Sequence, residues 1–317
     1  MGTFLSKVIV TGATGFLGKQ LIPVCTERGY KVYPVQRQAT ASPEIIVMDI
    51  APDSNWHPHL DNVDVIIHCA GRAHVMSESA VDPITEYREV NTAGTLQLAA
   101  QAAEAGVKRF IFISSIKVNG EATEPGRAFT TNVEHAPEDP YGLSKYEAEL
   151  GLRQLAAQTG MEVVIIRPPL VYGPGVKANF ASLIKLAGKG LPLPLGAVQN
   201  LRSMVFVGNL IDLIVTCISN PNAANKTFLA SDDDDLSTTR LLEELAYAMN
   251  KPSRLLPVPS SWLLTLTKLI GKPAIGQRLC GNLQLDISHT KSCLGWTPPY
   301  SVAEGLKQTV TDESRQK

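Results

Sequence analysis

"VIVTGATGFLGKQLI", residues 8–22, decides the fold. A β-branched run (Val8 to Thr11) leads into Gly12, Gly15 and Gly18, and an apolar pattern of helical period follows. That is a strand, a glycine turn and a helix start. Glycines here permit a tight turn, close backbone approach to a pyrophosphate, and close helix–strand packing. The helix N-terminus then offers N–H groups and the positive end of its dipole to an anion. The spacing is G-x-x-G-x-x-G, which departs from the commoner G-x-G-x-x-G. A glycine triple alone is weak; on the first strand–helix turn of an alternating chain it points to a dinucleotide.

Outward from this turn the chain does alternate. Residues 7–12, 31–35, 44–50, 64–71, 109–115 and 162–168 read as strands, and 16–28, 83–105 and 140–159 as helices. The strands are continuously apolar, as required when helices cover both sheet faces. This predicts an α/β fold, a doubly wound parallel sheet, with a smaller C-terminal domain. Residues 1–170 form the expected dinucleotide-binding domain, with 203–220 returning to it, and 171–317 are mainly substrate-binding. Beyond "RPPLVYGPG" (167–175), helices are expected near 208–219, 237–250, 260–270 and 301–312, with "GKGLPLPLG" (188–196) as loop. "DDDD" (232–235) reads as a solvated loop before a helix capped at Ser237.

The bulk numbers exclude several classes. A 317-residue chain with 44% hydrophobic and 19% charged residues is an ordinary globular protein. A net charge of −1 gives no reason to bind nucleic acid or an anionic surface. Five cysteines in no repeated spacing, and six histidines without ligand spacing, argue against disulfides and metal sites and for a reducing, cytoplasmic setting. The N-terminus reads as a first strand, not a leader. "SWLLTLTKLIG" (261–271) is too short to span a bilayer. It reads as a core helix or hydrophobic flap, with a monotopic membrane contact as the lesser reading, so no firm membrane association is expected.

The second strand ends "VYPVQRQA" without an acid. A carboxylate there would bond the ribose 2′-OH of NAD, whereas Arg37 suits a 2′-phosphate. This favours NADP over NAD. Asp49 is the candidate partner of the adenine amino group.

"DPYGLSK" (139–145) sets Tyr141 and Lys145 one helical turn apart on one face. Ligands of an open parallel sheet sit beyond the carboxyl ends of its strands, where Ser114 and Ser115 end the fifth. A free tyrosine with a pKa of about 10 is a poor proton donor and acceptor at neutrality. A nearby ammonium would stabilise its phenolate. Ser115, Tyr141 and Lys145 thus form a candidate hydride-transfer site.

In order and spacing, TGATGFLG, HCAG (68–71), ISS (113–115) and YGLSK (141–145) resemble the extended short-chain dehydrogenase/reductases, especially nucleotide-sugar epimerases and reductases. The resemblance implies that Ser115 polarises a sugar oxygen, Tyr141 is the acid/base and Lys145 its activator. It implies cofactor contacts from Gly12, Gly15, Phe16, Leu17, Gly18, Arg37, Asp49, Ile50, Cys69, Ala70, Gly71, Asn91, Tyr141, Lys145 and Pro168. Asn179, Arg202 and Arg278 match positions that hold the nucleotide diphosphate, each arginine having a surface ion pair as its bland alternative. His74, in the loop after HCAG, is a candidate sugar contact. His68 reads as a strand residue packed under the cofactor, and Cys69 as a bystander.

Two departures matter. Leu170 stands near the place of the family's asparagine after the sixth strand. Ile116-Lys117 replaces the Asp-Glu pair that dehydratases use to eliminate water. The expected substrate is a UDP-linked hexose or N-acetylhexosamine, and the expected reaction reduction of its 4-keto form for a surface polysaccharide. C4 epimerisation is the alternative, and a catalytically silent cofactor-binding protein a second class. The family resemblance also implies a homodimer.

Overall fold

The computed structural model describes residues 6–38, 42, 44–72 and 82–315, except the side chains at 178, 179 and 312–315. The strands are β1 (Lys7–Thr11), β2 (Lys31–Gln36), β3 (Ile46–Val47), β4 (Val65–His68), β5 (Arg109–Ile113), β6 (Glu162–Arg167), β7 (Leu170–Tyr172), β8 (Met204–Phe206) and β9 (Lys226–Leu229). The helices are α1 (Gly18–Glu27), α2 (Pro83–Tyr87), α3 (Thr95–Glu104), α4 (Pro140–Thr159), α5 (Ala178–Gly188) and α6 (Val207–Ser219). They continue as α7 (Thr238–Ala248), α8 (Ser260–Leu269), α9 (Pro273–Cys280), α10 (Ser288–Leu294) and α11 (Val302–Arg315).

Seven strands form one parallel sheet in the order β3-β2-β1-β4-β5-β6-β9, while β7 and β8 pair separately. The order reverses between β1 and β4, and a ligand crevice opens at such a switch point. Alternation along each strand feeds two cores. Val8, Val10, Ile67 and Ile111 pack with Leu21 of α1 and Leu210, Leu213 and Ile214 of α6. Ile9, Ile66, Phe110 and Phe112 pack with Leu98 of α3 and Ala148 and Leu152 of α4. Each fully buried side chain of this size contributes roughly 1.5–3 kcal/mol, so both faces must be covered. Buried Arg109 at the start of β5 ties down α6, donating from Nη1 to the carbonyls of Cys217, Ile218 and Asn220.

The helix expected over 83–105 is continuous but not uniform: residues Arg88–Gly94 form a π turn between α2 and α3. The edge strand β9, "KTFL", is too short to read in the sequence and closes the sheet beside β6.

Two sequence expectations are corrected in part. Asp233 and Asp234 of the aspartate run are half-exposed, but the run as a whole is not solvated. Asp232 is buried and accepts from Tyr172 Oη (2.7 Å), Phe206 N (2.8 Å) and Asn209 Nδ2 (2.7 Å), while Asp235 takes Ser203 Oγ. Ser237 does cap α7, accepting from Arg240 N at 3.0 Å. Of the two readings of 261–271, the core helix fails, and the exposure of the segment fits the hydrophobic flap. Only Leu263 of α8 is buried. Among the described residues no helix is long and apolar enough to cross a membrane.

The helix that carries Tyr141 and Lys145 is locked to the sheet by a buried ion pair. Arg167, at the end of β6, forks onto Glu149 of α4 with Nε–Oε1 at 2.8 Å and Nη2–Oε2 at 2.6 Å. Both side chains are at most 1% exposed. Removing Arg167 strips Glu149 of its forked partner and leaves it Ser114 and the half-exposed Arg153, whose Nη2 lies 2.8 Å from Oε2. Arg167→Met should cost up to about 3–5 kcal/mol, and pairing it with Glu149→Leu should recover part of that loss. Urea unfolding of the single and double variants measures both.

Candidate functional site

At the first turn, Gly12 adopts φ +70°, and a Cβ there would lie 2.9 Å from the Ala70 backbone nitrogen. Only glycine fits both demands. A Cβ on Gly15 would meet the Gly12 carbonyl at 3.1 Å, and one on Gly18 would press into that oxygen. The turn is fastened sideways by Ala13 N donating to Val35 O of β2 (3.2 Å). Phe16 and Leu17 lead into α1, which begins with no side-chain cap and no acid in its first turn. An uncapped, positively poised helix start behind a glycine turn fits a pyrophosphate.

Along the same edge, Ala70 N donates to Thr11 Oγ1 at 3.1 Å, which joins the 69–71 turn to the end of β1. Thr11 Oγ1 also bonds His68 Nδ1 (2.8 Å), and His68 Nε2 meets Thr95 Oγ1 (3.0 Å). Burial lowers the His68 pKa to about 3, so the ring is a neutral bridge between two hydroxyls. The Cys69 thiol is pushed up to about 12 by burial, which removes it as a nucleophile near neutrality. Gly71 packs tightly: a Cβ there would sit 3.0 Å from Asn91 Oδ1 and 3.3 Å from Lys145 Nζ.

Asn91 lies in the π turn and is fully buried. It accepts from Arg72 N (2.8 Å) and donates to Arg72 O and Ser144 Oγ (3.1 Å each). The loop after β3 packs on the same turn, where a Cβ at Gly94 would meet Ile50 at 2.9 Å. Asp49 is exposed there and accepts from Ile50 N at 2.9 Å. Arg37 is exposed just past β2.

At the far end, Asp139 caps α4 by accepting from Gly142 N (3.0 Å), and Pro140 fits the first turn. The Ser115 side chain is hydrogen-bonded to Tyr141, whose ring meets Tyr87 edge-on at 5.8 Å. Burial lifts the Tyr141 phenol to about 12, against the pull of that Ser115 hydrogen bond. Lys145 Nζ donates to Ile113 O at 3.0 Å and lies 4.4 Å from the centre of the Phe112 ring. Desolvation lowers its pKa to about 8, which leaves it mostly protonated near neutrality. Ser114, the other serine, faces away and donates to Glu149 Oε1 (2.6 Å). Pro168 O accepts from Ile116 N at 3.0 Å and closes the turn beyond Ser115.

Arg202 and Arg278 come together. Burial lowers the Arg202 pKa, and the Arg278 charge lowers it further. Arg202 Nη1 donates to Gly281 O at 3.1 Å. The segment after Gly281 in turn pairs with the loop that follows Ser115, through Thr123 N to Asn282 O (3.0 Å) and Phe129 N to Gln284 O (2.8 Å). His74 and the Asn179 side chain lie outside the described residues. Sequence reasoning missed the contacts of Lys117, whose Nζ reaches Glu121 Oε1 (2.7 Å) and Asp139 Oδ1 (3.3 Å) beside Tyr141, and the Thr11–His68–Thr95 bridge. A threonine at the end of β1 is too common to signal that bridge.

The parallel sheet with its glycine turn is the fold of the extended short-chain dehydrogenase/reductase enzymes. The chain belongs to the NAD dependent epimerase/dehydratase family, which matches residues 8–230. It is 54% identical over 309 residues to a Vibrio cholerae protein named UDP-glucose 4-epimerase, covering 96% of this chain and 94% of that one. An Escherichia coli O157:H7 protein, N-acetyl-alpha-D-glucosaminyl-diphospho-ditrans,octacis-undecaprenol 4-epimerase, is 30% identical over 323 residues, covering 97% and 95%. Among solved structures, UDP-glucuronic acid 4-epimerase from Bacillus cereus superposes with a TM-score of 0.78 at 20% identity, covering 98% and 99%.

Overpacking the glycine turn tests its purpose. Gly18→Ala should cost about 1–3 kcal/mol in stability and weaken NAD and NADP binding, measured by thermal unfolding and by fluorescence titration with each dinucleotide.

Proposed function

We propose that the protein interconverts C4 epimers of a UDP-linked hexose or N-acetylhexosamine, using a bound NAD(P). The observation that carries this reading is the 54% identity, over nearly the whole chain, to a protein named UDP-glucose 4-epimerase. A 4-keto reductase that releases its oxidised cofactor often uses NADPH, which is the one way Gln36 and Arg37 bear on the expected reduction. Arg37 stands at the exposed end of β2, so it bears on which dinucleotide binds and not on the direction of chemistry. The relatives favour epimerisation instead.

In this proposal the glycine turn, Phe16, Leu17 and the start of α1 hold the pyrophosphate. Asp49, Ile50, Asn91 and the 69–71 turn line the rest of the dinucleotide, with Pro168 beside its nicotinamide end. The bound dinucleotide supplies a hydride acceptor and donor. Tyr141 takes the proton of the sugar 4-hydroxyl and later returns it, while Ser115 holds the same oxygen. Burial holds the phenol near 12 even with the Ser115 hydrogen bond in place. The Lys145 ammonium and the positive charge of an oxidised nicotinamide would favour the phenolate further. Arg202 and Arg278, two like charges held close, gain from a shared diphosphate. They anchor the nucleotide while the keto sugar turns to present its other face.

Tyr141→Phe should abolish turnover and spare dinucleotide binding. Arg202→Ala should weaken UDP binding by about 1.5–3 kcal/mol, the worth of a charge-assisted hydrogen bond. The deciding assay incubates the protein with UDP-glucose or UDP-N-acetylglucosamine and separates the C4 epimers. Epimer formation without added cofactor, and NAD released on denaturation, are the expected results. NADPH consumption on a keto sugar with no epimer formed would restore the reductase reading.

A further inference from the structure

We infer that the α8–α9 hairpin is a docking surface for an anionic lipid bilayer. Within residues 260–280 only Leu263 and Gly276 are buried. Leu263 joins the core, and Gly276 lets α9 approach Thr267 and Leu264 of α8. Trp262, Leu266, Leu269 and Ile270 share one helical stripe, at spacings of four, seven and eight residues. They are 72%, 55%, 79% and 59% exposed. A helix placed only to fill a core would turn that stripe inward. Ile275 extends the stripe onto α9 at 44% exposed.

Charge selects the partner. Residues 245–285 contain no Asp or Glu but carry Lys251, Arg254, Lys268, Lys272 and Arg278, in a chain of net charge −1. Basic residues beside an exposed apolar stripe describe an interfacial helix, whose stripe enters the acyl boundary while lysines meet anionic headgroups. The surface continues beyond the hairpin. Leu193 N donates to Arg254 O (2.9 Å) and Leu256 N to Leu193 O (2.7 Å), so exposed Leu256 adjoins the loop with exposed Lys189 and Leu191. A second copy of this chain fits less well, because a two-fold contact would set each basic patch against itself. The inference stands on the hairpin and does not depend on the epimerase reading. It does place Arg278, in the last turn of α9, at the base of the docking element.

The test uses the full chain with vesicles of phosphatidylcholine alone or mixed with phosphatidylglycerol. Trp56 and Trp296 are buried, so a change in tryptophan emission reports Trp262. Phosphatidylglycerol vesicles should pellet the protein and shift its emission to the blue, and Trp262→Phe should remove the shift. Lys268→Gln should weaken binding about fivefold. Leu266→Ser with Leu269→Ser should abolish binding and leave UDP-sugar turnover in vesicle-free solution unchanged. Failure of the native chain to pellet with phosphatidylglycerol vesicles overturns the proposal. So does vesicle-free self-association that the serine pair removes, which would assign the surface to a second copy.

Discussion

The Arg167–Glu149 pair holds the candidate site in register. Glu149 is four residues beyond Lys145, one turn along α4, and it accepts from the sheet through both Arg167 and Ser114. Ser114 is the neighbour of Ser115, so one carboxylate sets both the strand end carrying Ser115 and the helix carrying Tyr141 and Lys145. Arg167 also reaches Asn119 Oδ1 (3.0 Å) and Thr131 O (2.9 Å), which secures the loop after β5. A buried ion pair adds little net stability over a well-packed apolar pair. Its contribution here is alignment: a forked, two-bond contact permits one relative position of strand and helix.

Much of this was legible because the chemistry constrains local sequence. Gly12, Gly15 and Gly18 stand out because backbone approaches backbone at all three. Tyr141 and Lys145 stand out because helical spacing puts them on one face. The serine pair was half legible. Both end a strand, but successive side chains point to opposite faces, so Ser115 meets Tyr141 while Ser114 goes to Glu149. The choice between reduction and epimerisation was not legible, since both need the same hydroxyl, phenol and ammonium. It depends on how the sugar pocket lets the substrate turn.

What escaped the sequence reading was set by long-range partners. Four aspartates in a row look solvated until β7, β8 and α6 bring Tyr172, Phe206 and Asn209 to Asp232. Burial raises the Asp232 pKa, and three donors oppose that rise. The apolar run of α8 looks like core by composition, yet the core is complete once Leu263 has entered it. Neither result follows from a local pattern, because each depends on what the fold has already covered.

The π turn at Arg88–Gly94 has a further consequence. An α-helix advances about 100° per residue, so a wide turn shifts the phase of everything that follows it. Within this stretch Asn91 bonds Arg72 and Ser144, and Thr95, the first residue of α3, meets His68. Loss of a single residue here would rotate Thr95 and α3 away from the sheet even if every named side chain survived.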